Sequence, residues 1–221
     1  MSAAAGQTFS IAEENRPVSG CTISGAAFQA GNRDAQVFSL AEGTDISAES
    51  YAHPKLWIAS QGKMTAFTGR GLSREFGSGQ IFVVPADEAV GVRALTDSVY
   101  TEIPVRKDAY MNQVLQAGEV FELKNLIPVQ EGKIVNMDLI NSPHMKFVLM
   151  SFDAGTGLSE HAAPGEAIIF ALEGEAVIGY EGKEHRIHAG ENFRFDKNGR
   201  HFVRADHPFK MALLLQLGAE N

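Results

Sequence analysis

Apolar and polar positions along this chain alternate in short blocks. In the C-terminal half the apolar runs are FVLMSF, AIIFAL, AVIGY, NFRF and MALLLQL, and turn-forming clusters separate them: DAGTG, LEGE, YEGKE, HAGE and DKNGR. Runs this short, closely spaced and bounded by glycine-rich turns predict the strands of an all-β sandwich or barrel. The Glu-Gly and Lys-Asn-Gly pairs supply the residues tolerant of positive φ that tight hairpins require. One segment departs from the pattern. In RKDAYMNQVLQAGE the apolar Tyr110, Met111, Val114 and Leu115 recur at helical spacing, with Asp108 placed as an N-cap and Gly118 as a stop. That spacing predicts a helix at about 109–117.

The pattern also repeats. AEGTDISAESYAHPKLWIASQGKMTAF (41–67) superimposes on DAGTGLSEHAAPGEAIIFALEGEAVIG (153–179) at an offset of 112, which brings Gly43 onto Gly155, Thr44 onto Thr156, Ser47 onto Ser159 and Gly62 onto Gly174. GQIFVVPADEAVGVRA (79–94) meets GENFRFDKNGRHFVRA (190–205) at an offset of 111, and Phe9 falls on Phe121 at 112. Matches kept in order at a near-constant offset predict a duplicated domain. The expected division is an N-terminal barrel over 1–106, a helical linker over 107–118 and a C-terminal barrel over 119–221.

Composition narrows the function classes. The chain has 221 residues, 44% hydrophobic and 21% charged, with a formal net charge of −8. That is ordinary for a protein with a proper core. The acidic balance argues against nucleic acid or an anionic membrane as partner and favours a small-molecule ligand. The single cysteine, Cys21, leaves no disulfide framework, and the N-terminus carries no basic segment followed by an apolar one. The longest apolar stretch is far too short to span a bilayer. These features together predict a cytoplasmic protein.

Two motifs in the C-terminal half resemble those of the cupin superfamily, G-x5-H-x-H-x(3,4)-E-x6-G and G-x5-P-x-G-x2-H-x3-N. Here they read Gly155-TGLSE-His161-Ala162-Ala163-PGE-Ala167-IIFALE-Gly174 and Gly190-ENFRF-Asp196-Lys197-Asn198-GR-His201-FVR-Ala205. The form GLSEHAAPGEAIIFALEGEA is similar to a bacterial subgroup of small cupins with an H-x-A-P-G-[E/D]-A core, and the whole chain resembles two-domain bicupins. The resemblance implies two tandem double-stranded β-helix (jelly-roll) barrels joined by a short helix. It also implies a metal held by three imidazoles and a carboxylate. In this sequence His161 and His201 stand at the first and last ligand places, but Ala163 and Ala167 occupy the second histidine's place and the acid's. Glu166 has the opposite parity and is expected to point away on a regular strand, whereas a bulge would turn it inward. The N-terminal copy carries Glu49, Tyr51, Lys55 and Val90 at the four places, and Lys55 and Val90 oppose a metal by charge and by lack of a donor.

The candidate pocket is therefore His161, His201, Phe193 and Phe195 in the C-terminal barrel. The aromatic pair lies on the strand leading to His201, and core packing is its alternative role. His144, His185, His188 and His207 are expected mainly at the surface, and His53 also. Three functions fit: binding of a small organic molecule anchored by His161 and His201; a metal-dependent oxygenase, isomerase or lyase with one Fe, Mn, Ni, Cu or Zn on those two histidines; or a structural role. Because such barrels pair face to face, a homodimer is also expected. No phosphate-binding glycine loop, cysteine pair or G-x-S-x-G nucleophile is present.

Overall fold

The computed structural model describes residues 4–28, 35–69 and 71–217. The strands of the first half are β1 (Thr8–Phe9), β2 (Thr22–Ala26), β3 (Gln36–Leu40), β4 (Asp45–Ser50), β5 (Lys55–Gln61), β6 (Lys63–Thr68), β7 (Ser73–Gly77), β8 (Gln80–Val84), β9 (Ala89–Ala94) and β10 (Ser98–Pro104), with a one-turn helix α1 (Ile11–Glu14). Those that follow are β11 (Tyr110–Met111), β12 (Val120–Glu122), β13 (Ile134–Asn141), β14 (Met145–Phe152), β15 (Thr156–Ala162), β16 (Glu166–Glu173), β17 (Glu175–Tyr180), β18 (Lys183–His188), β19 (Asn192–Phe195), β20 (Arg200–Ala205) and β21 (Phe209–Gln216). The protein is all-β, as the short apolar runs predict.

The strands sort into two units. In the first, β12-β8-β5-β10-β3-β2 form one antiparallel sheet and β4-β9-β6-β7 a second. In the other, β1-β19-β16-β21-β14-β13-β11 and β15-β20-β17-β18 do the same. Each unit buries a core drawn from its large and its small sheet, because the inward residues of both must leave water together. Trp57, Phe76, Phe82 and Tyr100 dominate the first core. Phe152, Phe193, Phe195 and Phe209 dominate the second.

The sequence repeat reappears strand for strand: β4 through β10 follow the same order and pairing as β15 through β21. Gly62 and Gly174, matched in the repeat, both stand at positive φ in the hairpin after the motif strand. A Cβ on Gly62 would lie 2.3 Å from the Asp97 carbonyl oxygen, and one on Gly174 would lie 2.2 Å from that of Pro208. Only glycine fits there.

The units are not contiguous in sequence. β1 pairs with β19, with Thr8 opposite Phe193, and so completes the large sheet of the second unit. Its repeat partner β12 pairs with β8, with Val120 opposite Phe82, and completes the sheet of the first. Backbone hydrogen bonds mark the same equivalence, Gly6 N–H to the Arg194 carbonyl and Gly118 N–H to that of Val83. Each repeat thus contributes its opening strand to the other repeat's sheet.

The helix expected at 109–117 is not formed. Tyr110–Met111 is β11, paired with β13, and the residues after it are turns. Asn112 N–H donates to the Leu139 carbonyl, so the segment's donors are committed to sheet pairing rather than to a helical turn. Leu115 is buried while Tyr110 is exposed, which places the apolar residues of this stretch as single anchors and not as one helical face. Among the described residues, no helix is long and apolar enough to cross a membrane.

Candidate functional site

His161 reaches the site through a β-bulge. Along β15 the step from Leu158 to His161 covers three residues, while the facing step on β20, Val203 to His201, covers two. The extra residue puts Leu158, which packs on the core, and His161 on the same face despite their opposite parity. The same bulge occurs in β4 between Ile46 and Glu49. It therefore belongs to the repeated strand itself.

The bulge sets His161 directly opposite His201, with ring centroids 4.1 Å apart and planes at 55°. On the other side His201 faces Tyr180 of β17, so His161, His201 and Tyr180 form one row across the small sheet. His201 arrives from the turn Asp196–Gly199, where Asn198 takes positive φ and Gly199 N–H donates to the Asp196 carbonyl. Phe195 stacks beneath it, centroid to centroid 4.0 Å and planes at 26°. Phe193 lies deeper, 5.2 Å from Phe195. Both phenylalanines belong to the second core. The four residues singled out from sequence therefore form one cluster, in which His161 is exposed and His201 is 8% exposed.

Each imidazole has one nitrogen tied to backbone. Nδ1 of His161 lies 2.9 Å from the Ser159 carbonyl oxygen, and Nδ1 of His201 lies 3.1 Å from that of Gly199. A carbonyl only accepts, so Nδ1–H is the donor in both rings, and the neutral form of each ring keeps its Nε2 lone pair for another partner. Burial drives the His201 pKa below the usual histidine value. The Gly199 carbonyl works against that shift, and the neighbouring His161 adds to it. His201 is accordingly a neutral acceptor at pH 7.

The remaining motif positions are filled with carbon. Ala163 and Ala167 are both 2% exposed and pack into the second core. Glu166 lies on the opposite face of β16, where its carboxylate meets Arg194 Nη1 at 2.6 Å. The bulge in this region serves His161 and leaves Glu166 pointing away. Among the described residues, no group of three His, Cys, Asp or Glu side chains is arranged to hold a metal ion. Two imidazoles fall short of the usual three protein ligands of a catalytic centre.

Sequence reasoning missed two residues. Tyr180 packs against Phe193 and Phe195, at 6.0 and 5.7 Å, and its place opposite His201 follows only from strand pairing. His185, expected mainly at the surface, faces inward on β18 with its ring 5.3 Å from Phe193. Its Nε2 is buried with no hydrogen-bond partner among the described residues. The period-2 pattern that buries Ile187 was the signal that could have found it. His188, exposed, pairs with Glu175 and Glu191. His53 and His207 are exposed and His144 half-buried.

Residues 148–215 match the family model Cupin_2, described as a cupin domain. The chain is similar to a Cupin 2 conserved barrel domain protein from Leptotrichia buccalis, at 24% identity and a TM-score of 0.82, over 97% of this chain and 98% of that one. It is more distantly similar to a mutant salicylate 1,2-dioxygenase from Pseudoaminobacter salicylatoxidans, at 11% identity and a TM-score of 0.61, over 93% and 79% of the two chains. Oxalate decarboxylase from Bacillus subtilis, in a study of its Mn(II) centres, matches at 11% identity and a TM-score of 0.52, over 99% and 79%. No curated protein matches in sequence. Residues 148–215 are thus similar to a cupin domain, and the protein has the cupin fold.

Proposed function

We propose that this protein is a bicupin whose C-terminal domain binds a small organic molecule at the His161–His201 pair. One observation carries the reading: both Nδ1 protons are spent on backbone carbonyls, so two Nε2 lone pairs stand open beside each other at the solvent edge of an aromatic-lined core. Such a pair accepts hydrogen bonds, which selects ligands that present O–H or N–H groups. Phe195 supplies an apolar face under the pair. The test is a thermal-shift screen of the full chain against small hydroxy acids, amides and sugars. A true ligand raises the melting temperature of the wild type but not of His161→Ala. A screen with no such compound sinks the proposal.

The same open nitrogens favour a second reading, a metal-dependent enzyme. Nδ1–H donated to a backbone carbonyl is the usual support of a metal-ligating histidine, and one neighbour of the fold has Mn(II) centres. Water or substrate oxygens would complete the sphere on Fe, Mn, Ni, Cu or Zn. Elemental analysis of gently purified protein separates the readings. Near-stoichiometric metal that disappears in the His161→Ala/His201→Ala double variant supports the enzyme, and metal close to zero favours simple binding.

A further inference from the structure

The first unit is the one without an imidazole at any of the four motif places, yet it holds a cavity of about 260 Å³. At ~30 Å³ per water that is room for roughly nine waters, the scale of a small organic molecule. The residues that replace metal ligands line it. Glu49 and Val90 form the cross-strand pair corresponding to His161 and His201, and Tyr51 and Lys55 stand at the other two places.

The charged groups there are largely committed to one another. Lys55 Nζ lies 2.7 Å from one oxygen of Glu102 and 3.5 Å from the centroid of the Tyr51 ring. The other Glu102 oxygen accepts the Trp57 indole N–H at 2.8 Å. Glu49 accepts the Tyr51 hydroxyl at 3.2 Å and is exposed at the rim. A second set of groups is not committed. Tyr100 is 1% exposed and lines the cavity, but its hydroxyl has no hydrogen-bond partner among the described residues. Burial and the nearby carboxylates hold the Tyr100 pKa well above its ordinary value, so this hydroxyl keeps its proton. The half-buried Gln36 amide, also lining the cavity, is likewise unbonded among the described residues. A hydroxyl and an amide that face the cavity without partners of their own are free to pair with whatever occupies it.

We propose that this cavity is a binding site for a small uncharged polyhydroxylated molecule, of monosaccharide or polyol size. Charge selects against the alternatives. Two carboxylates and one ammonium leave a surplus negative charge that repels an anion. A cation would crowd Lys55, which already occupies the Tyr51 ring face. Among the described lining residues, the carboxylate without a cationic partner is Glu49, at the solvent-screened rim. Hydroxyls suit what remains: the Tyr100 O–H and Gln36 amide both donate and accept, Glu49 accepts, and the stacked Phe38–Tyr100 pair (5.0 Å, 6°) supplies a flat apolar wall.

The experiment is calorimetric titration of the full chain with D-glucose, D-xylose and myo-inositol at millimolar concentration, with acetate and ethylammonium as charged probes. At least one polyol binds, Tyr100→Phe weakens it about tenfold, the value of one buried hydrogen bond, and Gln36→Ala weakens it while leaving the melting temperature unchanged. His201→Ala leaves it within about twofold, since that residue belongs to the other unit. The proposal is overturned if no polyol binds, if neither cavity variant changes affinity, if acetate or ethylammonium binds more tightly, or if His201→Ala abolishes binding. The last result would assign the ligand to the C-terminal pair instead.

Discussion

His201 is held between the face of Phe195 and the carbonyl of Gly199, with His161 across from it and Tyr180 behind. This enclosure makes its protonation a stability question. The folded pKa lies below the unfolded value of about 6.5. The native state therefore resists a proton that the unfolded chain accepts, and the associated stability is fully present above pH ~6.5 and lost as pH falls through the folded pKa. Urea denaturation across this range is expected to show the wild type losing stability faster than His201→Gln, and identical pH slopes would refute the assignment. On the other face of β16, the Glu166–Arg194 pair is sealed, with side chains 11% and 3% exposed. Removing the acid takes a charged partner from a buried guanidinium, so Glu166→Ala should cost about 3–5 kcal/mol in the same denaturation assay. Both histidines and the mismatch at Ala163 and Ala167 were visible as residue types. Tyr180 and the inward-facing His185 were not, because membership of a row across the sheet depends on register.

At the scale of the element, hairpins and bulges decide what the motif strands present. Gly174 sits at φ 76° with the Pro208 carbonyl where a Cβ would go, whereas Gly155, at φ 78°, has open space around it. Gly155→Ala is expected to cost only the left-handed backbone term, about 1–2 kcal/mol. Gly174→Ala adds a backbone clash to the same term and should cost clearly more. Chemical denaturation of the two variants checks the order, and equal effects would contradict the close approach. The shared glycines of the repeat were legible as turn positions, but not which of them are also steric necessities. The bulge before His161 left no readable mark either, since a strand with one extra residue looks in sequence like a strand of the other parity. The segment 109–117 shows the opposite error. Its helical spacing was real, but pairing of Tyr110–Met111 with β13 satisfied the backbone first.

At the scale of the whole molecule, the exchange of opening strands has the largest consequence. Thr8–Phe9 covers the edge of β19, the strand that carries Phe193 and Phe195. A chain lacking residues 1–9 should expose that edge, exchange the amides of Asn192–Phe195 faster and aggregate more readily, although the deleted residues lie far from the C-terminal motifs in sequence. Hydrogen exchange with mass spectrometry reads this directly, and unchanged protection would show that the strand contributes nothing to the edge.

What the sequence by itself determined was local or periodic: strands from short apolar runs, duplication from a constant offset, turn positions from glycine, and the motif places where two histidines survive and two alanines stand. These follow from residue chemistry and spacing along one chain. The tertiary structure alone decided which strand completes which sheet, how a bulge turns His161 toward His201, which nitrogens stay open, and that the half without metal ligands encloses a polar cavity around Tyr100. Each of these is a relation between segments about a hundred residues apart or an orientation within a packed site. Hydrogen-bond register and burial set them, and neither is written at any single position of the sequence.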